Sequence, residues 1–149
     1  MKQNILKFTT LLLILAGFFS SCAKEETGIP FTEYSLPETG CWWVNFKSGK
    51  VTIVNSNKEL ERYINCSNDG KYPAIDFSKH TLLLAKGVTP VGVGYCIAKS
   101  LQQLSAGKYV LNIEVKLGDS HAPDIWHIAL ITSKLHGTSN IKLNVTTIK

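Results

Sequence analysis

Arginine is almost missing: Arg62 is the single one in 149 residues, and the formal charge of +5 is carried by lysine. Nucleic-acid binders concentrate basic residues on one face and use arginine for phosphate and base contacts. The lysines here are scattered through turns and alternate strand positions, which reads as a solvated surface, and nucleic acid is not expected as a partner. No apolar run is long enough to bridge a bilayer. Leu11 to Phe19 (LLLILAGFF) has nine residues, where a membrane-spanning helix needs about 20. Motifs that carry chemistry are missing as well. Gly87, Gly92 and Gly94 lead into a strand instead of opening a helix, so they form no phosphate loop, and there is no nucleophile elbow, zincin helix or nucleotide fingerprint. These absences predict a non-enzymatic protein with no cofactor and no metal.

What is present at the start has a clear order. Lys2 and Lys7 flank a positive head, the nine-residue apolar run follows, and Ser20-Ser21-Cys22 offers a small-residue exit. That is the build of an export signal over residues 1–21. Phe19-Ser20-Ser21-Cys22 resembles a lipobox, with Phe where Leu is commonest. The resemblance implies lipidation of Cys22, and two or three acyl chains hold a protein on a membrane effectively permanently. Without Lys2 and Lys7 the mature chain carries about +3. Lys24-Glu25-Glu26 resembles the surface-export signal of Bacteroidota lipoproteins, which implies display on the outer membrane.

Residues 22–40, with Pro30, Pro37, Gly28 and Gly40, read as a flexible tether. Residues 41–149 are then one globular domain of ordinary balance, the whole chain being 44% hydrophobic and 18% charged. Its pattern predicts an α+β fold: a curved, mostly antiparallel meander sheet with one short helix near the start. Trp42 to Val54 is hairpin-like, broken at Lys47 to Lys50, and Lys58 to Ile64 has helical spacing behind the caps Asn55 to Asn57. Thr81–Val88, Tyr95–Leu104, Lys108–Leu117, Ile125–Leu135 and Ile141–Ile148 read as strands. Tyr109, Leu111, Ile113, Val115 and Leu117 alternate with Asn112, Glu114 and Lys116, which predicts one buried and one wet face.

With Cys22 consumed by lipid, three cysteines remain, so one disulfide and one free thiol, or an intermolecular link, are expected. Cys41 and Cys66 flank the first strand–helix unit and are the disulfide candidates. Closing their loop would contribute roughly 3 kcal/mol. Cys96, inside a strand, reads as a buried thiol. Asp119, His121, Asp124 and His127 are the one dense group of potential ligands, but match no zinc signature, and a plain turn-forming loop is expected. Trp42, Trp43 and Trp126 are the binding candidates. In a strand, Trp42 and Trp43 point to opposite faces, so one can be core while the other faces a ligand.

Over Cys41 to Val145 several features together resemble small lipoproteins of gut Bacteroidota: Cys41-Trp42-Trp43, the capped helix ending near Cys66, Ile75-Asp76-Phe77-Ser78 before the Thr81 strand, and Gln103-Leu104-Ser105 before Tyr109. The strand order also resembles the β-rich domain of a protease-complex regulatory subunit. Neither brings a catalytic set. The expectation is a lipid-anchored envelope protein binding a protein or glycan partner. The alternatives are a regulator or inhibitor of an envelope protease, or a metal-dependent hydrolase using the Asp119–His127 loop.

Overall fold

Thr81-Leu-Leu-Leu-Ala85 has no polar alternation, the signature of a strand buried on both faces. In the computed structural model, which describes residues 28–136 and 138–149, this stretch lies in β5 (His80–Thr89), and all five residues are buried. It pairs antiparallel with β8 (Asp124–Ser133) over ten residues and with β3 (Val51–Val54) on its other side. β1 (Phe31–Glu33) adds to β8, giving the order β1-β8-β5-β3. Residues 1–21, Cys22 and Lys24 to Glu26 lie outside the described residues.

A second sheet has the order β6-β7-β9, from β6 (Val93–Ser105), β7 (Lys108–Leu117) and β9 (Asn140–Ile148). β6 and β7 form the expected hairpin, turning at Gly107 with φ +71°. On β7 the alternation holds over Leu111 to Lys116: Tyr109, Leu111, Ile113 and Val115 are buried and Asn112, Glu114 and Lys116 half exposed, whereas Leu117, expected on the buried face, is half exposed and Val110 on the other face is buried. Tyr109, Leu111, Ile113 and Val115 pack against Leu83, Ala85, Trp126, Ile128 and Leu130 of the first sheet. The other face of that sheet, Val54, Leu82, Leu84 and Ala129, packs under Tyr34, Leu36, Phe46, Leu60, Ile64, Ile75 and Phe77. The β5–β8 pair is thus the middle of three layers.

This arrangement corrects the meander. β8 follows β7 but pairs with β5, and β9 returns to run parallel to β7. The reason is the cover that each sheet offers to β8. Trp126, Ile128 and Leu130 are apolar on one face and Ala129 and Ile131 on the other, so β8 cannot lie beside β7, whose outer face is wet. A parallel partner needs a crossover connection, and β8 is that connection.

Among the described residues the α share is one turn, α1 (Asn57–Leu60), and strands dominate. The cap works as expected: the Ser56 Oγ accepts from Glu59 N–H at 3.2 Å, and the Glu59 carboxylate accepts from Asn55 N–H at 2.7 Å. The helix stops early because residues 64–66 are needed elsewhere. β4 (Ile64–Cys66) pairs with β2 (Cys41–Trp43), placing Cys66 opposite Cys41, and so short a helix has little stability of its own. Val51 to Val54 therefore pairs with β5, not back onto Trp42 as a hairpin.

Residues 28–40 belong to the folded body and are not a tether. Ile29 N–H donates to Leu101 C=O at 2.7 Å, Phe31–Glu33 is β1, and Tyr34 and Leu36 are in the core. The prolines do not prevent this: Pro30 still accepts from Thr132 Oγ1 at 2.9 Å, and Pro37 sits in a turn.

Candidate functional site

The third layer covers only part of the first sheet. Along the outer face of the β5–β8 pair, Leu82 and Leu84 lie under it, opposite Ile131 and Ala129. Two residues further along, Lys86 faces His127, and beyond them Val88 faces Ile125. Val88 and Ile125 are 61% and 60% exposed. At this step lies a groove of about 920 Å³. Trp42, Trp43 and Phe46 border it on the layer side, and Lys86, Ile125 and His127 on the sheet side.

β2 builds the aromatic wall. Its alternation turns Cys41 into the core and leaves Trp42 48% exposed. Trp43 packs on the core, its ring 5.9 Å from Tyr34 and 6.1 Å, edge-on, from Phe46. The Lys86 ammonium sits 5.2 Å above the Phe46 ring, a cation–π contact that holds the lysine across the step. The wall is held by the Cys41–Cys66 disulfide, which joins directly opposed residues of β2 and β4. Beyond it the chains stay in contact through Ser67 N–H to Gly40 C=O (2.9 Å) and Lys71 N–H to Thr39 C=O (3.0 Å). Gly70 permits this approach, since a Cβ there would meet Gly40 O at 2.6 Å.

Among the described residues, the two non-glycine residues with positive φ, Glu38 (+65°) and Asn45 (+64°), both border this groove. Glu38 occupies the third position of a turn closed by Thr39 N–H to Leu36 C=O at 3.1 Å, behind Pro37. This position of a type II turn favours glycine. Glu38→Gly is therefore expected to raise the unfolding free energy by about 1 kcal/mol, read by chemical denaturation. A fall would show that the Glu38 side chain contributes more than its strained backbone costs.

Trp126 is corrected as a binding candidate. It is 4% exposed and its indole lies against Gly87, its cross-strand partner, where a Cβ would meet Cζ2 at 2.5 Å. The ring fills the space a side chain at 87 would take, so it has no face for a ligand. The Asp119–His127 loop does not assemble. The Asp124 carboxylate accepts from Val93 N–H at 3.0 Å and Ile125 N–H at 2.8 Å, bonds that hold its pKa below the usual value. Among the described residues no three His, Cys, Asp or Glu side chains are grouped to hold a metal.

Tyr34, which is buried, and Cys96, which is only half-buried where a buried thiol was expected, both resist ionisation. Tyr34, whose hydroxyl donates to Pro73 C=O at 2.6 Å, is pushed up to about 12 by burial and then by neighbouring Tyr72. Burial, with Glu33 nearby, pushes the Cys96 thiol up to about 11. Raised values of this kind leave stability intact below the unfolded values and remove it as pH climbs through the folded ones. Unfolding midpoints are accordingly expected to fall between about pH 9 and 12. Tyr34→Phe should remove the upper part of that fall; an unchanged alkaline profile would contradict the assignment.

Matching the chain against family models, curated proteins and solved structures gives no similar protein. The site must therefore be read from its own residues. Phe46, Lys86 and Ile125 were not expected in it, and His127 was expected in a strand and as one of a group of potential ligands, not as part of a groove. One signal was available. Same-face positions of β5 and β8 change from Leu82 and Leu84 to Lys86, and from Ala129 to His127, and that switch in polarity marks where the cover ends.

Proposed function

We propose that this chain is a lipid-anchored protein of the cell envelope, held at Cys22, whose folded body binds a partner without transforming it. The observation that carries the reading is the step groove with Trp42 exposed on its rim. Exposed Trp42 and exposed Ile125 border the same groove, the kind of apolar surface that marks interaction sites. The aromatic wall is fixed by a disulfide, which suits an oxidising compartment and agrees with export. Its charged groups, Glu33 and Glu38 against Lys86, do not converge as nucleophile and base, and they suit recognition better than turnover.

Crosslinking on intact cells, followed by pull-down of the wild type and of Trp42→Ala, tests the reading. The wild type is expected to capture a partner that the variant loses, while the variant's unfolding free energy stays within about 0.5 kcal/mol of wild type, as for a surface side chain. Capture unaffected by Trp42→Ala, or turnover of a substrate by the purified protein, overturns it. Mass spectrometry of the native protein should find an acylated N-terminus at Cys22; an unmodified thiol there removes the anchor from the proposal.

A further inference from the structure

The groove meets β8 along its hydrogen-bonding edge. Ile128 borders the groove although its side chain points the other way, into the core between the sheets, so what faces the groove at this point is main chain. Tyr34 N–H donates to Ala129 C=O at 2.8 Å, so the peptide groups of Ala129 point toward β1. Alternation along a strand puts those of His127 and Ile125 on the same edge. An independent bond agrees: Gly49 N–H donates to Lys86 C=O at 2.9 Å, so Lys86, opposite His127, also turns its main chain away from β8. Lys86 and His127 are thus a non-hydrogen-bonded pair. β1 ends at Glu33 and the chain peels away through Ser35 to Glu38, so strand pairing on this edge of β8 stops short of His127, and β6 approaches β8 at its far end, where Val93 N–H donates to the Asp124 carboxylate at 3.0 Å. Ile125 N–H is taken by the Asp124 carboxylate, whereas the His127 N–H and C=O have no protein partner among the described residues.

We infer that the groove takes an extended peptide segment of a protein partner, which adds to β8 as a strand in line with β1 and exchanges main-chain hydrogen bonds with His127. β1 shows that this edge accepts a strand, and the groove continues where β1 leaves off. The peptide residue opposite His127 directs its side chain to the groove face, against the wall of Trp42, Trp43 and Phe46. Apolar residues fit there, because the wall they meet is aromatic. Exposed Ile125 on the groove favours a peptide over a sugar, since an aliphatic side chain offers neither a stacking face nor a hydrogen bond.

The inference rests on the groove being the recognition surface, and its test separates the two. A random nine-residue peptide library is selected against the immobilised full chain, and an enriched peptide is then studied in solution by tryptophan fluorescence and amide hydrogen exchange. Enriched sequences are expected to carry apolar residues at alternate positions. Bound peptide should slow exchange of the His127 amide about tenfold or more, and N-methylating the peptide amide that pairs with His127 should weaken binding by a similar factor. Methylating the next amide, which points away, should change it less than about twofold. No enrichment, an unchanged His127 amide, or a flat methylation scan overturns the inference. If Trp42-dependent crosslinking survives one of those failures, the binding reading stands and the strand-addition inference falls. If the peptide pairs as expected but Trp42→Ala leaves cellular capture unchanged, the reverse holds.

Discussion

Replacing Cys41 and Cys66 by serine is expected to lower the unfolding free energy by about 3.5 kcal/mol, the loop-closure value for the 25-residue separation. That is a large share of the 5–15 kcal/mol typical of a domain, so unfolding midpoints should drop sharply. The loss should not be uniform. β2 and β4 are three residues each and pair only with one another, so their amides should exchange much faster in the double variant. The ten-residue β5–β8 ladder should keep most of its protection. Trp43 packs on Tyr34 and Phe46 from this layer, so its near-ultraviolet signal should weaken with it. Hydrogen exchange decides the matter: equal loss of protection in β5 and β2 would mean that the disulfide supports the whole body and not the groove wall.

Trp126→Ala is expected to cost about 3–5 kcal/mol, as for a large aromatic removed from a core. The value should lie high in that range, because the indole covers Gly87 and nothing at that position can fill the space left behind. Gly87→Ala should be harmful for the opposite reason, its new Cβ meeting the ring. The contrast with Trp42→Ala separates the two roles. Denaturant titration should show a large loss for Trp126→Ala and almost none for Trp42→Ala, while partner capture should behave the other way round. A Trp126→Ala protein of wild-type stability would return that residue to the list of ligand contacts.

Some of this could be read from the chain alone because the cause is local. The alternation from Tyr109 to Val115 gives a strand with one wet face whatever surrounds it, and the turn at Ala106-Gly107 makes its neighbour the preceding strand. The Ser56–Glu59 cap depends on residues three apart. The pairing of Cys41 with Cys66 was one choice among three remaining cysteines, and it followed from their flanking one short unit.

The rest was fixed by contacts between distant segments. Whether β8 sits beside β7 or β5 depends on which faces are already covered, and no residue of β8 states that by itself. The stretch with Pro30 and Pro37 has the composition of a spacer, yet Ile29, Phe31, Tyr34 and Leu36 are apolar enough to dock once two open sheet edges exist to receive them. Trp42, Trp43 and Trp126 are the same residue type in similar local patterns. One became rim, one wall and one core according to what lay across from each: solvent, Phe46 and Gly87. Periodicity fixes which way a side chain points, but what it meets there is set by the packing of the layers.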